Sequence, residues 1–186
     1  FSKGNSLLNM RDQIMASTGR SKLIALHRMI EALAYFLQAD RRWTITTLIP
    51  PLLQDSEEAK VLWRALARRI QFKNVVKVLG VAMLNRSTDV TFDREIRQML
   101  AIDLVVECLH AYLEDRKAVI DLGSVQQMLR SVEDEVRANI AGVVTRFIRD
   151  VASSEKSPYL AQDVFSRSVA PFLQIVWPQE VSLATA

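Results

Sequence analysis

Four residues of this chain have the spacing of a metal-binding or acid–base helix. Asp103, Glu107, His110 and Glu114 follow one another at intervals of four, three and four, which puts all of them on one face of a single helix. Glu107 and His110 also have the Glu-x-x-His spacing by which helical bundles hold paired metal ions, since one turn brings carboxylate and imidazole to the same ion. A dimetal carboxylate site needs a second such motif and further carboxylates from facing helices. The only other histidine, His27, is followed by Glu31 rather than preceded by a glutamate. The constellation is incomplete, and the expectation is a narrow solvated stripe on an otherwise buried helix. His27 lies beside the apolar face of its helix and is expected to be partly buried with a hydrogen-bond partner, because no Ser, Cys or carboxylate near it forms a relay. Cys108 has mostly apolar neighbours and reads as core filler. As the single cysteine it cannot form an intrachain disulfide, and a reducing cytoplasm is the default expectation.

A second set is cationic. Lys60, Arg64 and Arg68 lie along one expected helix face, and Arg69, Lys73 and Lys77 continue beyond it. Seven basic residues stand against two acidic ones from Ser56 to Arg86, and five against eleven from Ser87 to Glu135, an asymmetry that the net charge of +3 conceals. Such a row could contact phosphates with salt-dependent affinity. No aromatic residues interleave with it and no recognition-helix motif is evident, so pairing with the acidic half of the chain or of another subunit, or an ordinary solvated face, competes with that reading. Of the three tryptophans, Trp63 is expected in the core and Trp177 at an inter-helix or partner contact.

The elements that must position these groups are helices. Only five Gly and five Pro occur in 186 residues, which leaves little room for glycine-rich phosphate loops or nucleophile-bearing turns. No catalytic, cofactor-binding or metal-ligating set is expected. The apolar run Leu100–Leu113 is interrupted by Asp103, Glu107 and His110, far short of the roughly 18 to 20 apolar residues of a membrane span. The start, Phe1-Ser2-Lys3-Gly4-Asn5, has no initiator Met and no leader pattern, and reads as an excised piece of a longer protein.

Periodicity and capping signals predict helices over Leu7–Ala16, over Ser21–Ala39 with Ser21 as cap, over a short stretch from Thr46 or Thr47 to Leu53 with Pro50 and Pro51 in its first turn, over Ser56–Phe72 with an Asp55/Glu58 capping pair, and over Asn74–Leu84. Asn85–Asp89 reads as a loop. Thr91 opens a long helix to about Asp115, and Ser124 with Gln127 opens the longest, to about Ala152, on a stripe running from Val125 through Val132, Val136, Ile140, Val144 and Phe147 to Val151. Ser157-Pro158 begins a last helix that ends at about Trp177. One all-helical domain spanning residues 1–186, with about seven or eight helices, follows.

The segment Leu48-Ile49-Pro50-Pro51-Leu52-Leu53, followed by Asp55 and then by Val61, Arg64, Ala65 and Leu66, resembles a HEAT-type repeat, with a partial echo at Val169-Ala170-Pro171-Phe172-Leu173. The two prolines are about three repeat lengths apart on the family's period of roughly 40 residues. The first helix is about a turn short, and Leu62 stands where the family has Arg. The resemblance implies an irregular α-solenoid whose surfaces bind protein or nucleic acid; a closed multi-helix bundle is the competing all-α architecture. The expected function is a non-catalytic helical scaffold or protein-interaction domain of a larger bacterial, cytoplasmic protein, needing no cofactor and engaging a protein partner or other domains of its own chain. The alternative is a nucleic-acid-associated module using the Lys60–Lys77 row.

Overall fold

A computed structural model describes residue 9, residues 11–155 and residues 157–179. The first part of the expected Leu7–Ala16 helix, including Leu7, Leu8 and Met10, lies outside them. Among the described residues the chain is helical throughout, without strands. It divides into two compact units, residues 1–69 and residues 70–186.

In the first unit, α1 (residues 11–16) precedes α2 (Gly19–Glu31) and α3 (Leu33–Ala39). The single long helix expected from Ser21 instead starts two residues earlier, at Gly19, whose φ of +58° suits glycine. It breaks at Ala32, with φ −107° and ψ 24°. Leu26, Ile30, Leu33 and Leu37 of the expected stripe are buried, whereas Ile24 remains exposed. The Asp40 carboxylate accepts the Trp43 N–H at 3.0 Å and starts a continuous helical stretch, so no helix begins at Thr46 or Thr47. That stretch comprises α4 (Arg41–Trp43), a π-turn (Thr44–Leu48) and α5 (Ile49–Leu53). The α6 helix (Glu57–Leu66) is capped by Ser56, whose Oγ accepts the Ala59 N–H at 3.1 Å, rather than by Asp55. It ends six residues before the expected Phe72. Packing of α2 and α5 against α6 buries Leu62, Trp63 and Leu66.

The π-turn has a local cause. In a regular helix the Pro50 ring would clash with the carbonyl one turn back. Here the Ile49 N–H reaches five residues back to the Thr44 carbonyl, and the widened turn precedes the prolines. The same device recurs before Pro171: α11 (Ala161–Val164) runs through a π-turn (Phe165–Val169) into α12 (Ala170–Ile175), and the Ala170 N–H reaches the Phe165 carbonyl. The two apolar-Pro-apolar segments therefore share a backbone form.

The second unit is built around α8 (Arg94–Leu113), which packs against α7 (Lys73–Thr88), α9 (Leu122–Ser131), α10 (Asp134–Ala152) and the π-turn and α12 at the end of the chain. An unbroken run from Leu100 to Leu109 of α8 is buried, including Asp103 and Glu107, which were expected on a solvated stripe. Gly80 of α7 lets Ile120 approach, since an added Cβ would lie 3.0 Å from the Ile120 Cδ1.

Several expected boundaries in this unit move: the last helix starts at Ala161 rather than at Ser157-Pro158, and α9 starts at Leu122, where Asp121 and not Ser124 is the cap and its carboxylate accepts the Ser124 N–H. Residues 85–88 are helical, not loop, and the Ser87 and Thr88 hydroxyls bond back to the Leu84 carbonyl at 2.8 Å and the Asn85 carbonyl at 3.2 Å. Thr91 does not open α8, since Asp89 holds both its N–H and its hydroxyl in a turn. The longest expected helix is two helices, α9 and α10, broken at Val132 and Glu133, both in extended conformation. Arg137 stabilises that break by donating to the Leu129 carbonyl at 3.0 Å and to the Val132 carbonyl, supplying orphan groups at the end of α9. Arg97 of α8 grips the Glu133 carboxylate at 2.6 and 2.7 Å. With the break at Ala32, this gives ten continuous helical stretches among the described residues where seven or eight were expected.

Candidate functional site

The α8 stripe is not solvated at its N-terminal half. Asp103 is fully buried and Glu107 is 3% exposed. The Asp103 Oδ1 accepts the Gln71 backbone N–H at 3.0 Å, while its Oδ2 is buried without a hydrogen-bond partner. Burial pushes this carboxyl well above the usual carboxylate range and outweighs the lowering by the Gln71 bond.

Glu107 has the opposite solution. It receives Arg116 in two hydrogen bonds of 2.6 and 2.9 Å and the Val119 N–H at 3.3 Å. Arg116 arrives there through the helix end. Asp115 adopts φ +50°, the Asp115 N–H bonds the Tyr112 carbonyl, and the Arg116 N–H bonds the Ala111 carbonyl, a paired closure that turns the chain back along α8.

His110 and Glu114 lie farther out, with the His110 Nδ1 3.7 Å from the Glu114 carboxylate. Burial lowers the His110 pKa. The Arg116 guanidinium, which also bonds Glu114, lowers the Glu114 carboxyl. The Glu-x-x-His pair therefore points into two separate arrangements, Glu107 to Arg116 and His110 to the edge of the Phe147 ring, 5.1 Å away at 83°. Among the described residues no three His, Cys, Asp or Glu side chains converge in a metal-holding group.

Cys108 is buried, and burial pushes its thiol up to about 12. His27 is half-buried and has Glu31 as its charged neighbour, with no hydrogen-bond partner among the described residues. Trp63 is buried in the first unit as expected, and half-buried Trp177 meets the Phe172 ring at 6.5 Å.

The basic row does not form one face. Since α6 ends at Leu66, only Lys60 and Arg64 belong to it, and Arg68 and Arg69 occupy the turn after it. Lys60 pairs with Glu57 at 2.7 Å, and Arg68 meets Glu31 at 2.8 Å beside Arg28. Arg64 and Arg69 are exposed in the first unit; Lys73 and Lys77, one turn apart on α7, are exposed in the second.

A site that sequence reasoning missed lies in the second unit. A groove of about 660 Å³ runs between α8 and α10, with Phe72 and Tyr159 at its margins. Its walls come from Met99, Ile102 and Val106 of α8 and Val143, Phe147 and Val151 of α10, and His110, Arg146 and Asp150 are its polar edge. A second, apolar groove of about 370 Å³ lies on the other flank of α10, between Val144 and Ile148 on one side and Phe165, Leu173 and Trp177 on the other. The available signal was the doubling of the α10 stripe. Val143-Val144 and Phe147-Ile148 make it two residues wide, one column for each flank. Arg146 and Asp150 carried no motif.

No protein-family model, no curated protein and no solved structure matches the chain. No helix among the described residues is long and apolar enough to cross a membrane.

Proposed function

We propose that this chain is a non-catalytic helical scaffold, an interaction domain of a larger cytoplasmic protein that presents helix faces to a protein partner or to other domains of its own chain. The observation that carries this reading is the use of the buried charges in the second unit. Glu107 with Arg116, Arg97 with Glu133, and Arg137 with the carbonyls closing α9 each tie one element to another; Glu107 and Arg116 share a cavity of about 140 Å³ with Lys73, His110 and Glu114, whose lining holds no Ser, Thr or Cys nucleophile. The apolar grooves on both flanks of α10 supply surface of the kind that accepts partner side chains. The π-turn shared by the Pro50 and Pro171 segments supports a repeat of HEAT type.

Photo-crosslinking from Phe72 and from Leu173 of the full-length protein in its own cell tests this. A discrete protein adduct at either position is expected, and the absence of any protein adduct at both overturns the scaffold role. Exposed Lys73 and Lys77 support a second reading, a nucleic-acid-associated module. Under it, a mobility shift that weakens with salt is lost in Lys73→Glu/Lys77→Glu.

A further inference from the structure

The groove between α8 and α10 combines apolar walls with one uncompensated cation. Its volume of about 660 Å³ falls in the range of roughly 300–1,000 Å³ that small-molecule sites occupy. Each acidic group at its edge has a counter-ion: Glu114 bonds Arg116, and Asp150 bonds Arg149 at 3.3 Å. Arg146 has no hydrogen bond or ion pair among the described residues. The contrast within the unit is clear, since Arg97, Arg116 and Arg137 are all committed to carboxylates or carbonyls.

We propose that this groove binds a monomeric amphiphile with an unbranched apolar body and a single carboxylate head, the body lying on Met99, Ile102, Val106, Val143 and Phe147 and the head meeting Arg146. The chemistry follows from what each part offers. Apolar walls favour an alkyl chain in proportion to the area removed from water. A guanidinium presents a planar fork that matches a carboxylate with two parallel hydrogen bonds, which neither an alcohol nor an ammonium can accept in the same way. His110, kept neutral near pH 7 by its burial, adds a hydrogen-bonding edge without a second charge. The groove is also one of the two partner surfaces of the scaffold reading, and titration of the purified chain reads ligand binding with no partner present.

Calorimetric titration of the intact chain with dodecanoate and dodecylammonium below their micellar concentrations and dodecan-1-ol below its solubility limit tests the assignment. Dodecanoate is expected to bind one per chain and at least about tenfold tighter than the alcohol, the scale of one charge-assisted pair. Arg146→Gln, on an exposed position, is expected to bring dodecanoate down to the affinity of the alcohol and to leave the alcohol unchanged. Val143→Trp, which fills the groove, is expected to abolish binding of both. Equal affinities for acid and alcohol, tighter binding of the ammonium, dodecanoate affinity unaltered by Arg146→Gln, or no binding of any probe would each overturn the proposal. Arg146→Gln keeps the test decisive if Val143→Trp does not fold.

Discussion

The acidic stripe of α8 and the basic row from Lys60 to Lys77 look alike in the sequence, each a set of charges at helical spacing, yet they meet opposite fates. Asp103 and Glu107 are buried, one with its carboxyl pushed up by desolvation and the other matched by Arg116. The basic residues stay at the surface, Lys60 to Arg69 in the first unit and Lys73 and Lys77 in the second. Spacing determines which side chains share a face. Whether another helix covers that face depends on the residues around it, and α8 is apolar on nearly every other side.

The comparison predicts a hierarchy of effects. Glu107→Ala should be the most damaging change, because it removes both Glu107 hydrogen bonds of the half-buried Arg116 guanidinium and leaves it only the exposed Glu114; a loss of about 3 kcal/mol is expected in chemical denaturation. The double change Glu107→Leu/Arg116→Met should recover most of it, and failure to do so would mean that the pair contributes more than mutual compensation.

Asp103→Asn should act in the opposite direction. The folded carboxyl holds its proton above the ordinary range, whereas the unfolded one ionises near about 3.9, so the native state binds more protons. That contribution is complete below the unfolded pKa and is lost as pH rises toward the folded one. Asparagine keeps an acceptor for the Gln71 N–H but does not ionise. The stability difference, variant minus wild type, should therefore become more favourable from pH 4 to pH 8; a difference independent of pH would show that Asp103 titrates normally.

Asp115→Gly removes an unfavourable left-handed conformation and an acidic side chain from the C-terminal end of α8, and should raise stability by about 0.5–1 kcal/mol in thermal melts. At the weak end, Arg64→Glu and Lys77→Glu, both at exposed positions, should shift stability by less than about 0.5 kcal/mol. A loss of several times that amount would erase the distinction between the two charge sets.

Much of the fold was legible. The all-helical class, the buried positions of Cys108 and Trp63, and most of the stripe from Val125 to Phe147 follow from periodicity and composition. The breaks at Ala32 and at Val132–Glu133 were not, because neither carries Gly or Pro. The second is held by Arg137 and by Arg97, which lies 36 residues away from Glu133 in sequence. The groove was illegible for a similar reason: half of it comes from α8 and half from α10.

From the sequence alone came the helices, their apolar faces and the positions of charge along them, since these depend on propensity and on neighbours three and four residues apart. Tertiary structure alone decided that the Asp103 carboxyl is buried and pushed above the usual carboxylate range, that Glu107 belongs to Arg116, and that Arg146 stands unmatched beside an apolar groove. Those outcomes depend on desolvation and on partners supplied by other elements, which local spacing does not encode.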